Sequence, residues 1–371
     1  MAVAPPARIG QRQDEIDTPA LVVDLDAFEA NLAAMTRSVA GRVRIRAHAK
    51  THKSVDVARL QVAAGAVGVC CQKVSEAEIL VDGGIGDVLV SNEVVGASKL
   101  ARLARLAKRA RIGVCVDDAG NASDLAAAAR AGGATIDAYV EVDVGAKRCG
   151  VPPGEPAVAL ARVIAGSEGL RFAGLQCYHG SAQHLRTMAE RRAAIEAAAA
   201  AARATRAGIE ATGIACPIVT GAGSGTFAFE VASGAWDEIQ PGSYVFMDAD
   251  YAKNEWAAPL PAFRHALFVL ATVMSRPSAD RAVVDAGHKS ASVDSGMPTV
   301  WQRPGTSYGR PSDEHGVLQS SDGAPLPKLG EKVLLVPGHC DPTVNLHDWY
   351  VCVRGGVVEA LWPVSARGAV F

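Results

Sequence analysis

The sequence predicts an α/β fold in which a parallel (β/α)8 barrel is followed by a mainly antiparallel β domain. Short apolar runs alternate with amphipathic helical stretches from Val43 to about residue 246, and this alternation is typical of parallel sheet. The runs number eight, as many as a closed barrel of this kind needs. After about residue 250 the helical periodicity gives way to short alternating segments separated by proline and glycine, which favours antiparallel strands.

The barrel strands are predicted where the apolar runs occur. In chain order they are Val43–His48, Val67–Cys71, Val88–Ser91, Ile112–Val116, Ile136–Val142, Leu170–Tyr178, Pro217–Thr220 and Ile239–Phe246. Amphipathic periodicity between them predicts helices. The predicted helices are Val74–Val81, Ser98–Ala110, Ala119–Ala131 and Arg186–Ala211.

One earlier apolar run, Ala20–Leu25, would be a ninth strand, and we assign it to a different sheet. A helical pattern over Asp26–Val39 follows it. The strands of the later β domain are predicted at Ala266–Met274, Arg281–Ala286, Lys332–Val336, Trp349–Arg354 and Val357–Trp362. Ala20–Leu25 can pair into that sheet. The predicted limits are residues 26–245 for the barrel and residues 1–25 plus 246–371 for the β domain.

Composition and charge exclude several classes of protein. The 371 residues include 37 Lys plus Arg and 39 Asp plus Glu, for a net charge of −2. This balance argues against a nucleic-acid binder held by bulk charge and against a polybasic membrane surface. No segment offers the roughly 20 apolar residues of a membrane helix, and the first residues lack a signal-peptide pattern. Eight cysteines in a chain of this length do not indicate a disulfide scaffold. We expect a cytoplasmic, reduced protein that binds neither nucleic acid nor membrane.

Reactive groups in a β/α barrel stand at the carboxyl ends of the strands. The first barrel strand ends in RIRAHAKTHK, where Arg44, Arg46, His48 and Lys50 alternate onto one face. Inward-facing cations are costly unless an anion or a cofactor occupies the mouth of the barrel. Lys50 is therefore a candidate functional lysine, whereas a solvated loop is the alternative interpretation and suits Lys53.

Three further strand ends carry groups of interest. Arg148 follows the fifth strand, Tyr178 ends the sixth, and the glycine-rich segment Gly221–Thr226 follows the seventh. A glycine-rich loop at that place is the usual phosphate site of this architecture. A lysine, an arginine, an aromatic residue and a phosphate loop at strand ends together suggest pyridoxal phosphate.

A different chemistry is indicated in the β domain. His339 and Asp341 are two residues apart, so both side chains point the same way on an extended segment, and Cys340 points the other way. Imidazole plus carboxylate suits zinc, manganese or a related divalent ion. On its own, such a pair is more often structural than metal-binding.

These segments together resemble a known family. RIRAHAKTHKS resembles the pyridoxal-lysine segment of the alanine racemase-like enzymes, in the branch that contains D-threonine aldolase and D-serine dehydratase. D-threonine aldolases and the related 3-hydroxy-D-aspartate aldolases contain segments similar to VCCQKVSEAE, SNEVVG, EVDVGAKRCGV, CYHGSAQH, QPGSYVFMDADY, SDEHGV and GHCDPTVNLHDWYVCVR. The resemblance runs from about Thr18 to Gly368.

The resemblance implies roles for individual residues. Lys50 matches the lysine that binds the cofactor covalently, Arg148 the arginine that meets the pyridine nitrogen, and Tyr178 a residue lining the cofactor ring. The phosphate site is matched by Gly223, Ser224, Gly225, Thr226 and Tyr244.

The resemblance also implies a metal site. His339 and Asp341 match the ligands of a divalent ion, Mn²⁺, Mg²⁺ or Zn²⁺, and His184 matches an active-site histidine near the substrate. Two departures from the family pattern matter. Ala222 and Ser224 stand where the family often has glycines. Asp341 stands where the dehydratases of this branch have a cysteine ligand, which favours an aldolase.

The implied enzyme is a homodimer that cleaves D-3-hydroxy amino acids of the D-threonine type to glycine and an aldehyde, with His184 or a hydroxide on the metal as base. A 3-hydroxy-D-aspartate aldolase and a D-serine or D-hydroxyaspartate dehydratase are the alternatives within the branch. A pyridoxal phosphate carrier without activity is a further alternative, because such proteins resemble the barrel alone. A metal-dependent hydrolase using His48, His52, His179 and His184 lacks a matching set of acidic ligands.

Overall fold

The chain begins with a strand that does not belong to the barrel. The computed structural model describes residues 3–321 and 323–371. Strand β1 (Ala20–Asp24) leads directly into helix α1 (Leu25–Val39). Asp24 ends the strand and caps the helix, because its carboxylate accepts the backbone N–H of Ala27 at 2.9 Å. This junction carries the chain from the sheet domain to the barrel.

Eight parallel strands close into a barrel, as predicted. They are β2 (Arg44–His48), β3 (Gly68–Cys71), β4 (Asp87–Glu93), β5 (Arg111–Val116), β6 (Ile136–Glu141), β7 (Leu170–Cys177), β8 (Val219–Gly221) and β9 (Glu238–Ile239). Each strand pairs with the next, and β9 closes the barrel on β2 through the register Arg44↔Glu238. The strand prediction is confirmed because buried parallel strands are continuous apolar runs in the sequence.

Seven helices follow the barrel strands. They are α2 (Val55–Ala63), α3 (Val74–Asp82), α4 (Ala97–Leu106), α5 (Ala119–Gly132), α6 (Glu155–Ala165), α7 (Met188–Glu210) and α8 (Phe227–Ser233). The four helices predicted between the strands correspond to α3, α4, α5 and α7. Helices α2, α6 and α8 were not predicted from the sequence.

The eighth barrel strand is much shorter than predicted. The apolar run Ile239–Phe246 was expected to be one strand, but β9 ends at Ile239, and Ser243–Val245 form a 3-10 turn. Pro241 has no N–H to donate to a neighbouring strand, and its carbonyl instead accepts the N–H of His48 at 2.9 Å. The turn therefore holds the chain against the end of β2, where the candidate lysine lies.

The second domain is a nine-stranded, mainly antiparallel sheet. Its remaining elements are β10 (Leu267–Ser278), β11 (Arg281–Val284), β12 (Thr299–Val300), β13 (Thr306–Gly309), β14 (Gly316–Ser320), β15 (Lys332–Val336), α9 (Cys340–Val344), β16 (Trp349–Arg354) and β17 (Val357–Pro363). Strand β1 lies between β10, to which it is antiparallel, and β16, to which it is parallel. The assignment of Ala20–Leu25 to this sheet is confirmed. The domain limits at residues 25/26 and 245/246 stay a prediction.

The sheet domain differs from the prediction in two respects. Strands β12, β13 and β14 were not predicted. The segment after β15 is not extended, because helix α9 starts at Cys340 with His339 as its N-terminal cap residue. Cys340 is nevertheless fully buried, and its thiol lies 3.5 Å from the carbonyl oxygen of Met247.

One cation of β2, Arg46, is compensated within the barrel. The guanidinium of Arg46 is buried and donates to Glu238 at 2.8 Å and to Asp87 at 2.6 Å. One apolar cluster, separate from the main core, joins Cys70, Leu89, Cys115, Tyr139, Ala173 and Ile218 from successive strands. All eight cysteines are free thiols, and those in the strands pack as small apolar side chains. Within the described residues we find no helix whose length and apolar character would let it cross a membrane.

Candidate active site

A cavity of about 310 Å³ opens at the carboxyl ends of the barrel strands, within the size range of small-molecule sites. It is lined by His48, Lys50, Gln72, Ser91, Arg148, Gln176, Tyr178, Ala222, Gly223, Ser224, Gln240, Gly242, Ser243 and Tyr251. The structure thus brings five of the predicted site residues, Lys50, Arg148, Tyr178, Gly223 and Ser224, to one cavity.

Lys50 lies in a 3-10 turn, Ala49–Thr51, directly after β2. Its backbone N–H donates to Nδ1 of His48 at 3.3 Å, and its ammonium group forms an ion pair with Asp341 from the sheet domain. Burial alone would lower the pKa of Lys50, but Asp341, Tyr178 and Asp248 together outweigh burial and raise it. Lys53, by contrast, is not solvated: its ammonium contacts Glu76 at 2.5 Å, and 10% of its side chain is exposed.

Arg148 and Tyr178 form one wall of the cavity. The guanidinium lies over the Tyr178 ring, 5.8 Å from the ring centroid, which is a cation–π distance. Burial raises the pKa of Tyr178, although the charges of Lys50 and Arg148 oppose this. Behind the wall, Arg148 lies 3.9 Å from Glu141. Burial and the neighbouring Glu93 raise the pKa of Glu141 to about 8.

The glycine-rich loop meets the cavity through only part of its length. Gly223 and Ser224 line the cavity, whereas Gly225 donates its N–H to Gln183 at 2.9 Å. Thr226 accepts from the Gln183 amide at 2.7 Å and donates to Glu230 at 2.7 Å. The part of the loop that lines the cavity is therefore Ala222, Gly223 and Ser224.

Tyr244 is placed differently from the expectation. Its side chain is buried, and its hydroxyl accepts from Gln61 at 3.4 Å. Its backbone N–H donates to the Ser224 hydroxyl at 2.8 Å, so the residue braces the loop from behind. The preceding residues Gly242 and Ser243 line the cavity instead.

The predicted metal ligands lie beside Lys50. Nε2 of His339 is 3.9 Å from Oδ2 of Asp341, and Nδ1 of His339 is 2.8 Å from Oδ2 of Asp248. The other carboxylate oxygen of Asp341, Oδ1, is buried and has no hydrogen-bond partner among the described residues. Burial would raise the pKa of Asp341, but Lys50 and His339 outweigh burial and lower it. An imidazole nitrogen and an ionised carboxylate are thus available as ligands.

His184 lies in the 3-10 turn Ser181–His184 after β7. Its Nδ1 is 2.7 Å from Oδ2 of Asp250, and its ring packs at 5.7 Å between centroids against Tyr251, which lines the cavity. This contact connects the predicted active-site histidine to the site.

Among the described residues, no group of three possible metal-ligating side chains includes any of the four histidines of the hydrolase alternative. Each histidine has a different hydrogen-bond partner. The pairs are His48 with Gln72, His52 with Gln61, His179 with Ser181, and His184 with Asp250. A metal-dependent hydrolase site built from them is not supported.

Sequence reasoning missed several residues of the site. Asp248, Asp250 and Tyr251 lie in the segment QPGSYVFMDADY, and the resemblance of that segment to the family was a signal that could have found them. Gln72, Ser91 and Gln240 likewise lie in the family-like segments VCCQKVSEAE, SNEVVG and QPGSYVFMDADY. Gln176 lies outside those segments, and it is found only because successive barrel strands end at the same mouth.

Comparisons with known proteins agree with this architecture. A family model described as "Alanine racemase, N-terminal domain" matches residues 23–250, and a serine dehydratase domain family matches residues 266–353. A D-threonine aldolase from Arthrobacter sp is 51% identical over 370 residues, covering 99% of this chain and 97% of that protein. A 3-hydroxy-D-aspartate aldolase from Paracoccus denitrificans (strain Pd 1222) is 48% identical, covering 98% and 95%. The crystal structure of a D-threonine aldolase from Filomicrobium marinum superposes with a TM-score of 0.97 at 55% identity, covering 100% of both chains.

Proposed function

The chain belongs to the family defined by the alanine racemase N-terminal domain, and on that premise we propose that it is a pyridoxal phosphate- and divalent-metal-dependent aldolase. It cleaves D-3-hydroxy-2-amino acids of the D-threonine type to glycine and an aldehyde. The observation that carries the proposal is the ion pair between Lys50 and Asp341. It sets the proposed cofactor lysine of the barrel directly against the proposed metal ligand of the sheet domain.

The cavity fits the cofactor. Lys50 would hold it covalently, with Arg148 at the pyridine nitrogen and Tyr178 beside the ring. Gly223 and Gly242 both line the cavity. A Cβ on Gly223 would lie 2.5 Å from the Gln183 amide oxygen, and a Cβ on Gly242 would lie 2.6 Å from the Thr51 hydroxyl. A larger residue at either position would displace these neighbours.

The donor set fits a divalent cation. Oδ1 of Asp341 is buried without a partner among the described residues, and an unpaired buried carboxylate oxygen is costly. Nδ1 of His339 is held by Asp248, which leaves Nε2 as the nitrogen available to a metal ion. His339 and Asp341 supply two protein ligands, so coordination positions remain for substrate. Mn²⁺, Mg²⁺ and Zn²⁺ all accept this pair of ligands.

The chemistry of the bound groups and that of the protein are complementary. When bound, pyridoxal phosphate supplies an electron sink for the carbon that loses its bond, and the metal ion polarises the 3-hydroxyl of the substrate. His184 would take the 3-hydroxyl proton at Nε2, because Asp250 engages Nδ1. Cleavage between Cα and Cβ releases the aldehyde, and a proton returned to Cα gives glycine, so no water is consumed.

A second substrate and a rival reaction remain in the proposal. A 3-hydroxy-D-aspartate substrate would give glycine and glyoxylate, and the 48% identical relative with that printed name favours testing it. Dehydration of a D-3-hydroxy amino acid is the rival reaction at the same site. The carboxylate of Asp341, where the dehydratases of the branch have a thiol ligand, favours the aldolase. A carrier protein would not need the metal-ligand pair of the sheet domain.

Product analysis tests the proposal. D-threonine, 3-hydroxy-D-aspartate and D-serine are each supplied with Mn²⁺, Mg²⁺ or Zn²⁺, and glycine, aldehydes, 2-oxo acids and ammonia are measured. We expect glycine with acetaldehyde or glyoxylate, suppressed by a chelator and by Asp341→Asn. The matched control is Asp348→Asn, because Asp348 belongs to the same segment but pairs with Arg367 at 2.7 Å. A 2-oxo acid with ammonia and no glycine would show a dehydratase. A yellow protein without any product would favour the carrier.

Homodimeric assembly and a cytoplasmic location belong to the same proposal. Both rest on the resemblance and on the sequence. Light scattering of the purified holoenzyme measures the first directly, and a mass of one chain, 38.4 kDa, would contradict the dimer.

A further inference from the structure

Two aspartates two residues apart each contact one of the two histidines assigned to the reaction. Oδ2 of Asp248 lies 2.8 Å from Nδ1 of His339, and Oδ2 of Asp250 lies 2.7 Å from Nδ1 of His184. His184 follows barrel strand β7, whereas His339 follows β15 of the sheet domain. One short segment between the two domains therefore contacts both histidines through the same ring nitrogen.

The surroundings of Asp248 make it an acceptor only. Its side chain is fully buried. Besides His339, Oδ2 accepts the N–H of Cys340 at 3.1 Å, and Oδ1 accepts the N–H of Tyr251 at 2.9 Å. A carboxyl group whose two oxygens both accept backbone N–H bonds presents acceptors, and not a donor, to Nδ1 of His339. Nδ1 of His339 is then the donor to Asp248, and Nε2 is the nitrogen that faces Asp341.

The surroundings of Asp250 lead to the same result for His184. Oδ1 of Asp250 accepts from the Arg186 guanidinium at 2.6 Å, and the backbone oxygen of Asp250 accepts from the same group at 2.9 Å. The cation keeps the carboxylate ionised, so Nδ1 of His184 is the donor and Nε2 is the nitrogen that can accept a proton. Tyr251, packed on the His184 ring, fixes the plane of the imidazole.

The backbone of the segment is itself held in place. The N–H groups of Ala249 and Asp250 donate to the carbonyls of Pro337 and Gly338 at 2.9 and 3.1 Å. Met247, just before the pair, has a left-handed backbone with φ of 54°, which costs free energy for a residue with a side chain. A segment held this firmly can set the position of both carboxylates relative to His339 and His184.

We propose that Asp248 and Asp250 form a single positioning element that fixes both histidines as the Nδ1-protonated tautomer. The metal ligand and the base thereby each keep Nε2 free for its task. The roles of the two histidines rest on the proposed function, whereas their tautomers do not. Asp248 and Asp250 act through the histidines and are positioning residues.

The first test measures the tautomers directly. The holoenzyme is labelled with ¹⁵N-histidine and freed of metal with a chelator, and long-range ¹H–¹⁵N spectra are assigned with His184→Gln and His339→Gln. We expect Nδ1–H at both rings and no ring with a proton on Nε2 alone. An Nε2–H tautomer, or a mixture of tautomers, at either ring in the unmodified protein would overturn the proposal for that residue, and this measurement needs no aspartate variant to fold.

The second test separates the two aspartates. An asparagine amide can donate to Nδ1 and so reverse the tautomer. Asp248→Asn should move only the His339 signals and weaken Mn²⁺ binding about 10- to 100-fold, measured from the free-Mn²⁺ electron paramagnetic resonance signal. Asp250→Asn should move only the His184 signals, leave Mn²⁺ affinity within about twofold, and lower kcat by about 10²–10⁴ with little change in KM.

The control is Asp137→Asn. Asp137 is buried, as Asp250 is, and pairs with Arg111 and Arg171 at 2.7 and 2.5 Å, but it lies at the amino-terminal half of β6, away from the cavity. Asp137→Asn should leave both tautomers and Mn²⁺ affinity unchanged.

Unchanged Mn²⁺ affinity in Asp248→Asn would overturn the role of Asp248. If the tautomers are as expected but no glycine is formed from any substrate, the proposed function fails and the positioning element stands.

Discussion

At the scale of single residues, Lys50 is distinguished from the other lysines by its contacts. It lines the cavity and pairs with Asp341, whereas Lys53 is bound to Glu76 and Lys147 is exposed. We expect Lys50→Ala to lose the visible absorbance of bound pyridoxal phosphate, because no covalent link can form. The spectrum of the purified protein checks this, and Lys147→Ala is the control that keeps the colour. Borohydride trapping of the cofactor on another lysine of the Lys50→Ala variant would contradict the assignment.

Arg148 sets the electronic character of the cofactor in the proposed enzyme. A guanidinium next to the pyridine nitrogen disfavours protonation of that nitrogen, because two cations would then be adjacent. Arg148→Glu reverses the charge and should divert part of the turnover into transamination. The measurement is the ratio of the pyridoxamine form of the cofactor to glycine, compared with Arg148→Lys, which retains the charge. An unchanged product distribution in Arg148→Glu would count against this role.

Glu230 makes stability depend on pH. It is fully buried, one of its oxygens has no partner among the described residues, and burial raises its pKa to about 8. The folded state therefore binds a proton more tightly than the unfolded state. The resulting stability is fully present below the ordinary glutamate pKa and is lost as pH rises through about 8, at up to roughly 1.4 kcal/mol per pH unit. Glu230→Gln should remove this dependence. The free energy of unfolding of the unmodified protein and of Glu230→Gln is measured with urea at pH 6 and pH 8. An equal loss of stability in both proteins between these pH values would refute the prediction.

At the scale of elements, the turn after β9 connects the glycine-rich loop to the end of β2, through Tyr244 to Ser224 and through Pro241 to His48. Gly242 packs against the end of β2, where an added Cβ would meet the Thr51 hydroxyl at 2.6 Å and the His48 carbonyl oxygen at 3.2 Å. We expect Gly242→Ala to displace the turn and weaken pyridoxal phosphate binding about tenfold or more, measured by titration of the cofactor-free protein. Gly86→Ala is the matched control, because none of the described atoms lies within 4 Å of the position that its Cβ would take. Equal affinity in the two variants would contradict this function of the turn.

The elements that the sequence predicts well are those specified by their own residues. Barrel strands such as Ile112–Val116 are buried on both faces, so each is an uninterrupted apolar run whatever its neighbours are. Strands β12, β13 and β14 are two to five residues long and partly exposed, and they exist because distant segments pair with them. Their sequences show almost no regular alternation of apolar and polar residues. The prediction of a strand over Ile239–Phe246 was wrong for the opposite reason. Its sequence is apolar enough for a buried strand, but most of these apolar residues are buried in a turn.

The candidate site divides in the same way. Lys50, Arg148, Tyr178 and the metal-ligand pair stand in segments whose spacing or family resemblance can be read locally. Asp248 and Asp250 could not be found by spacing, because their partners His339 and His184 are 91 and 66 residues away. Only the folded chain shows that these carboxylates are the ones that engage the histidines.

At the scale of the whole molecule, the site exists only where barrel and sheet domain meet. Lys50 comes from the barrel, Asp341 and His339 from the sheet domain, and Asp248 from the connection between them. A metal ion that binds this arrangement and not the unfolded chain must stabilise the fold. The free energy of unfolding rises by about 2.7 kcal/mol when the free ion is at 100 times its dissociation constant.

This linkage gives a prediction that does not depend on turnover alone. Addition of Mn²⁺ to the chelated holoenzyme should raise the midpoint of thermal unfolding and restore aldehyde release over the same concentration range, because one binding event causes both. Asp341→Asn should show neither response, since it removes a ligand. Asp348→Asn, whose partner is Arg367, should show both. A thermal shift that persists in Asp341→Asn would mean that the stabilising ion binds elsewhere, and the assignment of His339 and Asp341 as the metal ligands would then be wrong.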